Sequence, residues 1–194
     1  MPSSVDICNM ALLRVGRDKI TSLTENKRDA VVCNTFYTQL RDSVLREHRW
    51  SFATERITLA ALTTEYEGWD YAYQYPTDCL AVQRLYNAYS DTDILEYEVA
   101  SNAGTSRAIL CDVDDAVIIY TAKITVENAF DPMFIEALIW RLAAELALAL
   151  RSDTNLYGAM LQRYALAISQ AKSVDANERH REPNQESSFL SSRL

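Results

Sequence analysis

The sequence predicts an α+β protein, mainly α. A helical bundle built from both chain ends carries a small antiparallel β lobe inserted between them. Three observations carry that expectation. Apolar residues recur at helical spacing in the first fifty residues and again after residue 131. Between these stretches the period falls to two, in short runs rich in Val, Ile and Tyr. Charge follows the same division: residues 1–49 hold 8 basic and 6 acidic side chains, residues 50–130 hold 4 and 13, and residues 131–194 hold 7 and 8. The 194 residues suffice for one real core plus the lobe. Residues 1–54 and 131–178 are assigned to the bundle, 55–130 to the lobe and 179–194 to a flexible tail.

Ser3 or Ser4 suits the cap of a first helix, because a hydroxyl there accepts from a backbone N–H of the first turn. Val5, Cys8, Ala11, Leu12 and Val15 follow at helical spacing, and Gly16 is a natural stop. The polar loop 17–24 holds two apolar anchors, Ile20 and Leu23. Thr24 or Asn26 is the expected cap of a longer second helix reaching about Glu47. Its apolar seam is Ala30, Cys33, Tyr37, Leu40 and Val44, in steps of three and four. Trp50 and Phe52 are expected to plug the core where the chain leaves this helix, rather than to stack on a ligand.

Strands are expected at residues 56–62, 79–86, 94–99, 107–111 and 116–122. Tyr71, Tyr73 and Tyr75 alternate along another extended segment, so they share one face, and Pro76 ends it. Asn102, Ala103, Gly104 and Thr105 read as a hairpin turn.

Helix returns at Asp131-Pro132, an N-cap followed by a proline whose missing N–H costs nothing at the first helical position. Residues 133–150 are strongly apolar, yet Glu136, Arg141 and Glu145 argue against a membrane span. Arg141 and Glu145 stand at i, i+4 and are expected to pair. After a turn at Ser152-Asp153, a last helix is expected over 155–176. Its face is Leu156, Met160, Leu161, Tyr164, Ile168, Ala171 and Val174. The polar tail ends on Phe189, Leu190 and Leu194, either a frayed end or a segment that orders on a partner.

Counting excludes several functions. There are 4 glycines, where average usage of about 7% would give roughly 13, and no two lie close together. A glycine-rich phosphate loop or dinucleotide fingerprint is therefore absent. The 2 histidines, His48 and His180, offer little to a metal site or triad. Cys8, Cys33, Cys79 and Cys111 form no C-x-x-C pair and fit buried thiols of a reducing compartment. No signal peptide is visible in the first residues. The acidic middle segment lacks the clustered Lys and Arg that grip a nucleic-acid backbone.

Several segments together carry a resemblance. The opening Asp6-Ile7-Cys8-Asn9-Met10-Ala11-Leu12-Leu13-Arg14-Val15-Gly16 is followed by Ile20-Thr21-Ser22-Leu23, and then by Ala30 and Cys33 leading to Leu45-Arg46 and Trp50-Ser51-Phe52-Ala53. Later come Tyr73-Gln74-Tyr75-Pro76-Thr77-Asp78-Cys79-Leu80, Phe134-Ile135-Glu136-Ala137-Leu138 and Leu142-Ala143-Ala144-Glu145-Leu146-Ala147. In this order and spacing, over roughly residues 5–176, the chain resembles the head-to-tail adaptors of short-tailed bacteriophages, the tail tubular protein A and packaged-DNA-stabilisation group.

The resemblance implies a structural virion protein, found in the tail or neck and assembled in the host cytoplasm. Such proteins form a homo-oligomeric ring, typically of twelve copies, below the portal protein. The ring extends the DNA channel, serves genome retention and ejection, and joins the tail nozzle, with tail fibres as a further contact. DNA passes through without sequence-specific binding, and no membrane, metal, cofactor or active site is implied. The family's docking tail maps here to Phe189, Leu190, Arg193 and Leu194. Lys27, Arg28, Arg41, Arg46 and Arg49 are candidates for pairing with a neighbour's acidic lobe, besides being ordinary solvated charges. Glu65, Glu67, Asp70, Asp91, Asp93, Glu96, Glu98, Asp112, Asp114 and Asp115 are candidates for an acidic channel wall that repels DNA phosphate.

Three other readings compete. One is a connector or head-completion protein of another tailed-phage class. Another is a helix-turn-helix regulator, although the loop between the first two helices is longer than the usual turn. The third is an enzyme using Asp78 and Cys79, or Asp112, Asp114 and Asp115, although no basic or histidine partner lies nearby in sequence.

Overall fold

Ser3 starts the first helix. Its hydroxyl accepts from the Asp6 N–H at 3.2 Å while the Asp6 carboxylate accepts from the Ser3 N–H at 2.9 Å, a reciprocal box that opens α1 (Ser4–Arg14). In the computed structural model, which describes residues 2–87, 95–102, 104 and 106–178, α1 leads into a turn at Gly16, φ +69°. A Cβ there would stand 3.0 Å from Arg151 Nη1, which donates to the Val15 carbonyl. Gly16→Ala should therefore destabilise the fold by about 1–2 kcal/mol, read as a lower urea midpoint at unchanged slope.

The second helix corrects one expectation. Neither Thr24 nor Asn26 caps it: α2 (Arg28–Arg46) begins after Lys27, with no side-chain cap. The preceding residues form their own turn. The Thr24 N–H donates to the Ser22 hydroxyl, and the Glu25 carboxylate accepts from the Thr21 N–H. Asp29 in the first turn of α2 takes a bidentate bond from Arg17 and sets a negative charge at the positive end of the helix. The loop between α1 and α2 is pinned by Asn9, which both donates to and accepts from Ile20.

Among the described residues, α2 is followed by a 3₁₀ turn at Ser51–Ala53 and six strands: β1 (Thr54–Thr58), β2 (Tyr71–Gln74), β3 (Cys79–Asn87), β4 (Glu98–Asn102), β5 (Ser106–Cys111) and β6 (Ala116–Ala122). They form two antiparallel sheets of three, ordered β1-β6-β3 and β2-β5-β4. Side chains from both sheets, Tyr73, Leu85, Ile109, Ile118 and Tyr120 among them, meet in one core. The tyrosines alternate as expected. Tyr73 and Tyr75 are buried, and Tyr71 stays exposed at the end of the row.

Two strands differ from their expected bounds. β1 starts at Thr54 and stops at Thr58, because the chain then crosses to the other sheet. There Leu62 N donates to the Ala72 carbonyl and Ala61 bridges Tyr73. The strand expected at 94–99 is β4, shifted to Glu98–Asn102, so Asn102 belongs to the strand and not to the turn. Asn102 pairs with Ser106 across Gly104, φ +73°. Leu95 and Tyr97 instead lie over the edge of β3, bonding the carbonyls of Leu85 and Val82.

The chain returns to helix in α3 (Pro132–Arg151) and α4 (Thr154–Glu178). Asp131 caps as expected, accepting from Met133 at 2.7 Å and from Phe134 at 3.3 Å. α3 is the central helix, with α1, α2 and α4 packed on it and ten of its 20 residues buried. Arg141 and Glu145 pair at 2.7 Å. Between α3 and α4, Ser152 takes the left-handed conformation and Asp153 caps α4 through the Leu156 N–H. On α4, Ala167, Ile168, Ala171 and Asp175 are buried, whereas Val174 is exposed and leaves the expected face. Trp50 and Phe52 plug this helical core, as expected. They pack with Phe134 at centroid distances of 5.3 and 5.2 Å. All four cysteines are buried thiols.

Candidate functional site

The lobe meets the helices at the open edge of β3. An edge strand presents backbone groups that another chain could pair with. Here side chains from outside the sheet meet them. Arg46, in the last turn of α2, donates through Nη1 to the Leu80 carbonyl at 2.6 Å, and Arg49 reaches the Gln83 carbonyl at 3.4 Å. Tyr97 Oη donates to the Val82 carbonyl at 3.5 Å. Beside this edge lies a cleft of about 520 Å³, lined by Arg46, His48, Arg49, Gln83, Thr121 and Ala176 among others. A smaller hollow of about 260 Å³ adjoins it across Ala81 and Val82, where Arg46 faces Tyr75, Tyr97, Val99 and Arg107. The Arg107 guanidinium stacks 3.8 Å over the Tyr75 ring. Burial pushes the Tyr75 phenol up to about 12 and raises the Cys79 thiol beside it.

Behind His48 of the cleft wall, a serine, the histidine and an aspartate are in contact, but not as a catalytic relay. Asp175 is buried, and its Oδ1 accepts from the Ser51 N–H and hydroxyl, both at 2.6 Å, while Oδ2 meets His48 Nε2 at 3.0 Å. In a nucleophilic triad the imidazole stands between serine and carboxylate. Here the carboxylate stands between the other two, so it ties the end of α4 to the segment between α2 and β1. Among the described residues, no group of three or more His, Cys, Asp or Glu is placed to hold a metal ion, and no helix is long and apolar enough to cross a membrane.

Of the five basic candidates, the structure brings Arg46 and Arg49 together at the cleft. Lys27 pairs with Glu25 in its own turn, and Arg28 donates to the Ala149 carbonyl at 3.0 Å. Arg41 corrects the expectation. It is only 5% exposed and pairs with Asp42 at 2.7 Å, because position 41 lies beside the buried seam of α2. Arg107 was missed by sequence reasoning. Its signal is that it is one of only 4 basic residues among 13 acidic ones in residues 50–130.

Glu65, Glu67, Asp70, Asp112, Asp114 and Asp115 are all exposed; Asp70, Asp112, Asp114 and Asp115 gather at one end of the lobe, whereas Tyr66, between Glu65 and Glu67, folds back over the sheet to the Ser101 carbonyl. The β2–β5 register places Tyr71 opposite Cys111, so the residues before one and after the other share a tip, closed by a 3.1 Å bond from Asp70 N to Asp112. Glu96 and Glu98 are exposed apart from it, and Trp69 donates to Glu98 at 3.2 Å. Asp91, Asp93 and the tail residues Phe189, Leu190, Arg193 and Leu194 lie outside the described residues. β6 begins beside the acidic tip and ends at the cleft, so its seven residues set the two about 20 Å apart. The chain thus carries exposed carboxylates at one end of these strands and, at the other, Arg46 and Arg49 with Glu47 beside them.

No protein-family model matches the chain, and no curated protein matches it.

Proposed function

We propose that this chain is a structural subunit of a phage virion, a head-to-tail adaptor that forms a ring below a portal. The observation that carries the reading is the separation of charge. The acidic tip and the arginine cleft lie at opposite ends of the same strands. Such a pair can join the tip of one copy to the cleft of the next, and head-to-tail contacts of this kind close into rings; an antiparallel two-fold dimer, which would satisfy both ends at once, is the competing arrangement. The segments that resemble the short-tailed phage adaptors supply the biological setting: a portal above, a tail nozzle below, tail fibres nearby and DNA in the lumen. A net charge of -8 per subunit, repeated around a ring, gives a field that keeps duplex DNA from adhering to the wall. The role asks for no catalysis, cofactor or sequence-specific DNA contact.

Native mass measurement of the purified chain, alone and mixed with a candidate portal ring, tests this reading. The expected result is a closed multiple of the subunit mass, alone or on the portal, that loosens above about 0.5 M salt, where charge pairing is screened within a few ångströms. A chain that stays monomeric under both conditions overturns it.

A further inference from the structure

Three arginines of this molecule pair with carboxylates: Arg17 with Asp29, Arg41 with Asp42 and Arg141 with Glu145. Arg46 and Arg107 do not. Among the described residues neither forms an ion pair. Arg46 commits Nη1 to the Leu80 carbonyl, and Arg107 lies 3.8 Å over the Tyr75 ring. Both residues are exposed, within reach of an incoming group.

Distant parts of the chain bring the two together. Arg46 ends α2, Arg107 follows the start of β5, and the Arg107 carbonyl accepts from the Tyr75 N–H at 3.3 Å. They face each other across the hollow of about 260 Å³, whose other walls are Tyr75, Ala81, Val82, Tyr97 and Val99. Both stand close enough to the Tyr75 phenol to favour its charged form, so two positive charges surround one point.

Nothing in the hollow offsets them. No carboxylate lines it. Burial raises the Tyr75 phenol and the Cys79 thiol beside it above their ordinary values, so both stay neutral near pH 7. Asp78, next to Cys79, does not line the hollow and accepts from the Tyr120 hydroxyl at 3.2 and 3.3 Å. In a chain of net charge -8, this is a pocket of double positive charge.

We propose that the hollow binds a phosphate dianion between the guanidinium groups of Arg46 and Arg107. Guanidinium forks match phosphate oxygens, and a charge of two matches a pair of arginines where a lone carboxylate leaves one of them unanswered. Val82, Tyr97 and the exposed Val99 offer apolar surface to the organic part of a phosphate monoester; inorganic phosphate brings the same charge without it. The acidic tip of a second copy is the weaker candidate. Its Asp112 and Asp114 already accept from the Asp70 and Asp115 N–H groups, and the adjoining cleft of about 520 Å³ gives it more room. The inference does not depend on ring formation, although Arg46 borders both cavities.

Phenyl phosphate and phenyl sulfate, nearly identical in shape, probe the site on the full chain at about pH 7.5, where the phosphate ester carries about two negative charges and the sulfate about one. The arginine Nε–H resonances are the readout, with Arg163, exposed on α4 and bordering neither cavity, as internal control. Phenyl phosphate is expected to shift Arg46 and Arg107 together and to bind about tenfold more tightly than phenyl sulfate. Arg107→Gln should remove that preference, and Arg107→Lys should retain it in weaker form. Val99→Glu sets a carboxylate on the hollow from an exposed position of β4 and should weaken phenyl phosphate more than phenyl sulfate; it keeps the test valid if Arg107→Gln disturbs the lobe. Inorganic phosphate, titrated in parallel, identifies the source: binding equal to the ester's assigns the site to the free ion, weaker binding assigns it to an organic phosphate, and both support the proposal. Equal binding of the two esters, a shift at Arg163 as large as at Arg107, or a shift at Arg46 without Arg107 overturns it. An Arg107 signal that moves with the concentration of the protein alone also overturns it, in favour of a second copy's carboxylates.

Discussion

Trp50→Ala should lower the free energy of unfolding by about 3–5 kcal/mol, the range for removing a large buried aromatic. Trp50 is wholly buried where α2 ends and the lobe begins. Its ring stands edge-on to Phe134 at 5.3 Å and to His48 at 4.9 Å, with Phe52 tilted against it at 5.9 Å. Its Nε1 donates to the Val44 carbonyl at 3.1 Å, which holds the last turn of α2 against the residue that leaves it. Removing the ring leaves a cavity walled by aromatics that are fixed by one another, so the site has little room to collapse. Trp50→Phe should cost less, since it keeps most of the packing and loses the hydrogen bond. Urea unfolding followed by circular dichroism reads both. A loss below about 1.5 kcal/mol for Trp50→Ala would show that the plug is dispensable.

Asp175→Ala is the second large effect, expected at about 2–4 kcal/mol. It leaves the Ser51 N–H, the Ser51 hydroxyl and His48 without the carboxylate they share. The side chain is only 7% exposed, so water does not replace it in the intact joint. Asp175→Asn should fall between wild type and Asp175→Ala, because it keeps one oxygen for Ser51 and turns a donor toward His48. Hydrogen exchange gives a local reading. The amides of the last two turns of α4 and of Ser51–Ala53 should lose protection together. If they stayed protected while global stability fell, the carboxylate would not be the tie between these elements.

The helices were legible because their signals are local. Ser3 with Asp6, and Asp131 with Pro132, start α1 and α3 by chemistry that reaches no further than a turn. Strand ends were less legible because distant partners set them. β1 stops at Thr58 since the following residues belong to the other sheet, and β4 begins at Glu98 since its pairing is counted back from the turn at Gly104. The cleft was half legible. Arg46 and Arg49 sit at the end of an amphipathic helix, but Arg107 joins them only through the register of β5, some sixty residues later. Asp175 did leave a trace, an acid in the same row as Ile168 and Ala171, where an apolar residue belongs.

Among the described residues, the outer edge of β3 is met by arginines at and just after the end of α2, beside Leu95 and Tyr97, and this shapes how the protein comes apart. Arg46 and Arg49 belong to the helical side in sequence, yet the carbonyls that accept from them lie on the lobe. Lifting the helices away strips the donors from carbonyls of the strand. Helices and lobe therefore share one cooperative melting event, and the lobe has no closed boundary of its own until the end of α2 is folded over it.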